Sequence, residues 1–553
     1  MVNVFTDELE KTNVLIDGDK IVGVGDYGDG DADVVENLEG KYICPGFIDG
    51  HIHIESTTLT PVELAKICMP HGTTGIVADP HEIANVCGTD GIRYMMEASE
   101  GIPLHVYFTL PSCVPATPFD ESGAELTADD LRPFYESKRV VGLAEMMNYP
   151  GVLARDGQVL KKIFDALELG KKVDGHAPSL LGKSLDRYIS AGVQSDHECS
   201  CAEEAVEKIR KGQWVMIRQG TAARNLVDLL PLFEAPFDRR CILVTDDRHP
   251  ADLAQEGHID NIIRLAVKNG KSAVKAIRMA TLQAAECFGL PYVGAVAPAY
   301  RADLLVLDDL DTVDVRDVYA AGVKVVDNKV MGGFKAPEIS RELADVVTNS
   351  FHTSPIKPSD LRIEEKGEKC RVIKVIPGQL VTDEQITPIN WEKNNGIDVE
   401  RDILKLAVIE RHKNTGHKGL GFITGIGLKK GAIASSVSHD SHNMIVIGTC
   451  DEDMAIAANH IRTSGGSVVV ADGKVIADMK LPIAGLMSEL SGEEIAEDNE
   501  AVRAAVYKFG VPKDIEPFMN MAFVSLSVIP SLKMTTQGLV DVNKQERVSL
   551  YCD

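Results

Sequence analysis

The sequence holds no apolar run near the roughly 18 residues needed to span a bilayer, which argues against a membrane-spanning helix. It lacks basic excess: 57 Lys and Arg stand against 83 Asp and Glu, and a net charge of −26 argues against binding nucleic-acid phosphates. Cys-x-x-Cys spacing is also absent. The 11 cysteines are odd in number and scattered, which makes a disulfide framework or a zinc knuckle an unlooked-for feature. The same absence excludes the zinc base deaminases that carry Pro-Cys-x-x-Cys. Within residues 45–294 no Gly-x-Gly-x-x-Gly follows a strand-like run, so nothing there favours a dinucleotide. The N-terminus has no basic segment leading into an apolar stretch, and the cytoplasm is the expected compartment. Aromatics are scarce at 5%, yet 44% of residues are hydrophobic, the balance of a soluble globular protein.

What is present falls into three textures, in keeping with two or three domains for 553 residues. Short strand-like runs, Asn13 to Gly18 and Lys20 to Gly25, are followed by a Gly/Asp-rich turn at Asp26 to Asp33. They are too few for a stable sheet, and their expected partners lie at Ala302 to Leu307, Val313 to Val315 and Val323 to Asp327. Residues 1–44 with 295–340 are therefore expected to form a small β-sandwich domain from both flanks of an insert. That insert, 45–294, alternates apolar runs with amphipathic stretches. The runs are Phe47 to Gly50, Thr73 to Ala78, Leu104 to Leu110, Val140 to Met146, Lys172 to Gly175, Val193 to Ser195, Trp214 to Arg218 and Cys241 to Thr245. Eight strands alternating with helices over about 250 residues suit a (β/α)8 barrel, with a doubly wound open sheet as the other option. After a Pro-rich linker at Pro355 to Pro358, 341–553 reads as an additional C-terminal α/β domain. The fold class is α/β.

In a (β/α)8 barrel the C-terminal strand ends converge on one mouth. Strand one ends in His51-Ile52-His53, two imidazoles placed on one face by strand alternation. Strand two ends in Asp79-Pro80-His81-Glu82, strand four carries Glu145 and strand five His176. Strand six ends in Asp196-His197-Glu198 and strand eight in Asp246-Asp247, whereas strands three and seven offer no obvious ligand. Each has an ordinary structural reading: His176 as a core histidine, Asp246 as a helix cap. Glu145 in the apolar Leu143 to Met147 is costly unless paired or metal-bound. Four imidazoles and at least two carboxylates exceed the needs of one tetrahedral zinc and suit two cations joined by a carboxylate, with a bridging hydroxide as nucleophile. His71, His105, His249, His258, His352, His412, His417 and His460 are expected to be structural.

These motifs together resemble the amidohydrolase superfamily: Pro45-Gly46-Phe47-Ile48-Asp49-Gly50-His51-Ile52-His53, and Gly294 to Leu304 leading back into the small sheet. More narrowly, the chain resembles the adenine deaminases of bacteria and archaea. The residues behind this are His51 to Ser56, Asp79 to Asn85, Gly142 to Asn148, Thr245 to Pro250 and Ser438 to Asn443, spanning essentially the whole chain. The resemblance implies hydrolytic deamination of adenine to hypoxanthine and ammonia at a binuclear manganese or iron(II) centre, in purine salvage or catabolism. It makes His51, His53, Glu145, His176, His197 and Asp246 the metal ligands. Many binuclear relatives place a carbamylated lysine on strand four; this chain has Glu145. Val2 to Thr6 sits where such proteins already run in their first strand, so the chain is expected to begin unusually late.

In the expected mechanism the hydroxide attacks carbon six and Asp246 takes its proton and relays it. His81 with Asp79 is the first choice for protonating the ring, as a relay or accessory metal site. Glu55, Glu82 and Glu198 are further candidates for that acid. Glu55, Glu82 and Arg218 are candidate substrate contacts, although Glu82 could equally sit at a helix N-terminus and Arg218 in a structural ion pair. Ser438 to Asn443 is expected either to pack over the barrel mouth or to be a structural loop, and adjacency does not make it a nucleophile triad. A dihydroorotase- or hydantoinase-like cyclic-amide hydrolase is the alternative, and a non-catalytic scaffold the third reading. The expected partners are a small nucleobase and further copies of the chain, a dimer or higher, with no nucleic acid and no membrane.

Overall fold

The computed structural model describes residues 1–221 and 223–552. Eight parallel strands build the central body: β1 (Phe47–Ile52), β2 (Thr73–Ala78), β3 (His105–Leu110), β4 (Val140–Met146), β5 (Lys172–Gly175), β6 (Ser195–Asp196), β7 (Trp214–Arg218) and β8 (Cys241–Val244). They form two arcs, β1 to β5 and β6 to β8. The arcs meet where Gln194 N donates to Val173 O at 3.0 Å and Asp246 N to His51 O at 2.9 Å. The wall thus closes, as expected of a (β/α)8 barrel. Every residue of β1, β2, β4, β7 and β8 is buried. A barrel strand meets packed side chains within and helices outside, which is why these runs are continuously apolar rather than alternating.

Ile48, Val77, Val141, Met216, Ile242 and Val244 fill the interior against Phe288 of the helix Leu282–Phe288. Gly50 faces the same space, where an added Cβ would stand 2.5 Å from Ile242 Cδ1. The register of β1 shifts between Asp49 and Ile52, and both Ile48 and the later His51 face inward. The strand therefore runs two residues beyond Gly50 and carries His51 within it. Strand six starts two residues later than its hydrophobic run, with Ser195 opposite Trp214.

Strands from both flanks of the barrel share one antiparallel sheet. Tyr42–Pro45 pairs with Leu304–Leu307, and Val315–Ala320, Val323–Asp327 and Val330–Met331 follow. The hairpin Asn13–Asp17/Lys20–Gly25 packs against it through Ile21, Val14 and Ile16. Val2–Asn3 pairs with Glu8–Leu9.

Asp303 ties this sheet to the barrel: its Oδ1 lies 3.2 Å from His105 Nε2 and accepts from Ala321 N at 2.9 Å, and Arg301 Nε donates to Oδ2 at 2.5 Å. Burial opposes ionisation, but His105 and Arg301 outweigh it and hold the carboxyl at about 2. Because the folded value is depressed, the stabilisation is complete above an ordinary carboxyl pKa and is lost as pH falls through about 2. Asp303→Asn should cost about 2 kcal/mol at neutral pH and progressively less from about pH 4 downward, read from denaturant midpoints across pH.

Toward the C-terminus an eight-stranded sheet runs in the order Thr382–Pro388, Lys369–Val375, Lys418–Thr424, Leu404–Ile409, Met444–Gly448, Ala432–Ser435, Ser467–Ala471, Lys474–Met479. Only Lys369–Val375 with Lys418–Thr424 is parallel. The helix Asp451–Ser464 packs Met454, Ala457, Ala458 and Ile461 on this sheet. The helix Pro517–Phe523 and the turn after it reach the barrel mouth. There Ser527 Oγ donates to Asp120 Oδ2 at 2.6 Å, and Asn443 Nδ2 to Glu121 O at 2.7 Å. Among the described residues no helix is long and apolar enough to cross a membrane.

Candidate metal centre

Glu145 stands at the middle of the barrel mouth, and its two oxygens face different imidazole pairs. Oε1 lies 3.3 Å from His53 Nε2 and 3.9 Å from His51 Nε2; Oε2 lies 2.6 Å from His176 Nδ1 and 3.2 Å from His197 Nε2. Asp246 Oδ1 closes the first group, 3.2 Å from His53 Nε2 and 3.9 Å from His51 Nε2. The six side chains thus form two groups that share one carboxylate. Burial disfavours the charge on Glu145, yet hydrogen bonds from His176, His197 and His53 hold its pKa well below the usual range. Asp246 is likewise held low by Arg218 and His53 against its burial.

Supporting groups aim these side chains. His51 Nδ1 donates to Asp174 Oδ2 at 3.0 Å, which leaves Nε2 turned inward with no hydrogen-bond partner. His53 Nδ1 donates to Asp79 O at 3.2 Å. Asp49 accepts from Thr245 N at 3.1 Å and from His51 N at 3.2 Å, tying β1 to β8. Tyr188 Oη accepts from His176 N at 3.1 Å and donates to Met146 O at 2.8 Å, setting β5 against β4. Lys208 Nζ donates to Asp196 Oδ2 at 2.9 Å, and Asp196 Oδ1 accepts from Ala177 N at 2.7 Å. Asp246 itself holds φ 61, a left-handed backbone that costs a non-glycine residue about 1–2 kcal/mol.

The donors suit a metal. Ligands bound about 2.0–2.2 Å from one tetrahedral cation lie about 3.3 Å from one another, close to the His53–Glu145, His53–Asp246 and His197–Glu145 separations of 3.2–3.3 Å, with His51 wider at 3.9 Å and His176 tighter at 2.6 Å. The bare His51 Nε2, buried among acceptors and imidazoles, is an orphan that a cation satisfies. His53, Asp79, His81 and Glu145 offer a further group of converging ligand atoms.

The remaining expected site residues are placed as follows. His81 Nδ1 donates to Asp79 Oδ2 at 2.9 Å and lies 3.8 Å from Glu145 Oε1. Arg218 lines the cavity, with Nη1 between Glu198 Oε1, at 2.5 Å, and Asp246 Oδ2. It therefore fixes Asp246 as well as facing the site. Glu198 Oε1 also lies 3.4 Å from His197 Nε2, and Asp247 accepts from Ser56 Oγ. Glu55 is set apart from the cavity lining: its Oε1 accepts from Ile83 N at 3.1 Å at the start of the helix His81–Ala98. Burial raises its carboxyl to about 7. Glu82 lines the cavity, but both its oxygens are engaged, Oε1 by His439 Nδ1 at 2.6 Å and Oε2 by His442 Nε2.

Sequence reasoning missed His439 and His442 as partners of Glu82, and the apolar roof of Leu380, Phe523, Leu526 and Ile529 over a cavity of about 50 Å³. Glu82 and His439 are 357 residues apart. The only local signal was the density of polar residues in Ser438 to Asn443.

With this geometry in place, likeness to known proteins becomes specific. Residues 42–338 match the amidohydrolase family, and residues 379–546 match the adenine deaminase C-terminal domain. Over its full length the chain is 45% identical to an adenine deaminase of Desulfatibacillum aliphaticivorans, of which it covers 96%. The chain belongs to the adenine deaminase family of the amidohydrolases. It is also 46% identical to an adenine deaminase of Clostridium acetobutylicum over 98% of this chain and 95% of that one. A further adenine deaminase, of Geobacillus kaustophilus, is 43% identical over 99% of this chain and 94% of its own length. The amidohydrolase family uses divalent metals, and the clustered side chains include groups able to hold one.

Proposed function

We propose that this protein hydrolyses adenine to hypoxanthine and ammonia in the cytoplasm, using two divalent cations, manganese or iron(II). The observation that carries the reading is Glu145, whose two oxygens divide between two imidazole groups at the mouth of a chain alike throughout to adenine deaminases. His51, His53 and Asp246 would hold one cation, His176 and His197 the other, and Glu145 both. Bound there, the cations supply Lewis acidity and make water a nucleophile at neutral pH.

The chain's own groups do the rest. Asp246 presents Oδ1 to the site while Arg218 holds Oδ2. As an ionised carboxylate it takes a proton from the nucleophile and passes it toward the leaving amine. His81, oriented by Asp79, is within the same rim to relay protons to the ring. Leu380, Phe523, Leu526 and Ile529 give the flat base an apolar cover and exclude water. In this reading 45–294 is the catalytic barrel, 1–44 with 295–340 the flanking sandwich, and 341–553 the domain that roofs the site. The assembly is a homo-oligomer.

The test is ammonia release by manganese-loaded protein on adenine, adenosine, cytosine and dihydroorotate side by side. Release from adenine alone, with hypoxanthine as product, is expected. Turnover of dihydroorotate without adenine turnover would favour the cyclic-amide alternative.

A further inference from the structure

His439 comes from the C-terminal half of the chain, yet it lines the cavity above the ligand cluster. Its placement is fixed on several sides. Nδ1 lies 2.6 Å from Glu82 Oε1, the backbone N donates to Ala522 O at 3.0 Å, and Ser525 Oγ donates to the backbone O at 3.2 Å. The ring stacks on Phe523 with centroids 4.4 Å apart and 28° between planes. His442 engages the other oxygen of Glu82, so that carboxylate is spent on two imidazoles. Nδ1 being committed, Nε2 is the remaining polar atom of the His439 ring, and it takes part in no hydrogen bond among the described residues of the cavity lining.

We propose that His439 is a substrate-contacting residue, whose Nε2–H donates a hydrogen bond to a ring nitrogen of the purine, with Glu82 and His442 as its positioning residues. The proposal rests on the adenine reading above and deepens it: the C-terminal domain supplies a polar group to the barrel's reaction.

The chemistry favours a donor at this place. Attack on the amine-bearing carbon pushes electron density onto the ring nitrogens, and a fixed donor gains strength as that charge develops. Every other group facing His439 is either an acceptor or already engaged: Glu82, Asp247 and Asp440 are carboxylates, and His442 is bound to Glu82. Burial opposes the charged ring, but Glu82 more than compensates and raises the His439 pKa to about 9. The imidazole is therefore a standing donor at neutral pH rather than an acceptor. A charge-assisted donor also outweighs a neutral one of the same geometry.

Two substitutions in the full-length, metal-loaded protein separate contact from scaffolding. In His439→Asn the amide nitrogen replaces Nδ1 and keeps the tie to Glu82, but nothing reaches the place of Nε2. In His439→Gln the amide nitrogen falls near Nε2 and the tie to Glu82 is given up. The proposal predicts that His439→Asn loses about 10²–10³-fold in kcat, with metal content and melting temperature as in the unsubstituted protein. His439→Gln should retain at least tenfold more activity than His439→Asn. The reverse order, or two variants within threefold of the unsubstituted protein, would overturn it. Calorimetric binding of 1-, 3- and 7-deazaadenine to the same proteins identifies the nitrogen. His439→Asn should weaken two of the analogues about tenfold or more and leave the third, which lacks the contacted nitrogen, unchanged. Equal weakening of all three would mean a positioning role only and would also overturn the contact. Should the unsubstituted protein release no ammonia from adenine, the functional reading fails, and the contact is judged by the binding series alone.

Discussion

Glu145→Gln should strip the protein of metal and of activity together. The side chain keeps its length and shape, but a neutral amide offers one oxygen where the carboxylate offers two. The two imidazole groups on either side, His51 with His53 and His176 with His197, then lose the shared anion that faces both. The expected result is metal content falling to one ion per chain or fewer, and ammonia release falling about 10³-fold or more, beyond the 10²–10³ that a single lost electrostatic contact costs. Elemental analysis after desalting, beside the adenine assay, reads both. Full metal content with full activity would show that Glu145 is an ordinary buried carboxylate paired to histidines.

Asp246→Asn probes proton transfer. Asparagine tolerates the left-handed backbone at φ 61 better than any other uncharged residue of this size, so the change is chemical and not conformational. The amide oxygen still faces His53, and Arg218 keeps Glu198 as partner. What disappears is a group able to accept a proton. A loss of about 10²–10⁴-fold in kcat, the worth of a positioned general base, should appear with KM little altered, since the lost interaction belongs to the transition state. A kcat within tenfold would move the proton-accepting role elsewhere, His81 and Glu198 being the groups in reach.

Much of the barrel and of the side-chain cluster at its mouth was legible because each depends on local pattern. Continuous apolar runs such as Val140 to Met146 mark strands buried on both faces, and a charged Glu145 inside one needs a partner. His51, His53, His176, His197 and Asp246 were readable as strand-end residues that barrel geometry must bring together. The register shift in β1 was not readable, and neither was the close approach of Gly50 to Ile242, 192 residues away, that accompanies it. Nor was the meaning of Glu55 and Glu82. Both stand beside the ligands in sequence, yet one accepts from Ile83 N and the other is shared by two histidines of a distant segment. Leu380, Phe523, Leu526 and Ile529 are plain apolar residues whose place over the site depends on how the C-terminal sheet docks. Docking of that kind leaves no periodic trace.

The most direct measurement is a titration of metal-free protein with manganese under anaerobic conditions, following ammonia and hypoxanthine formed from adenine. The account predicts activity that is negligible without metal and reaches its maximum at two ions per chain, with Glu145→Gln unresponsive. Saturation at one ion, or bound metal with no turnover of adenine, would contradict it.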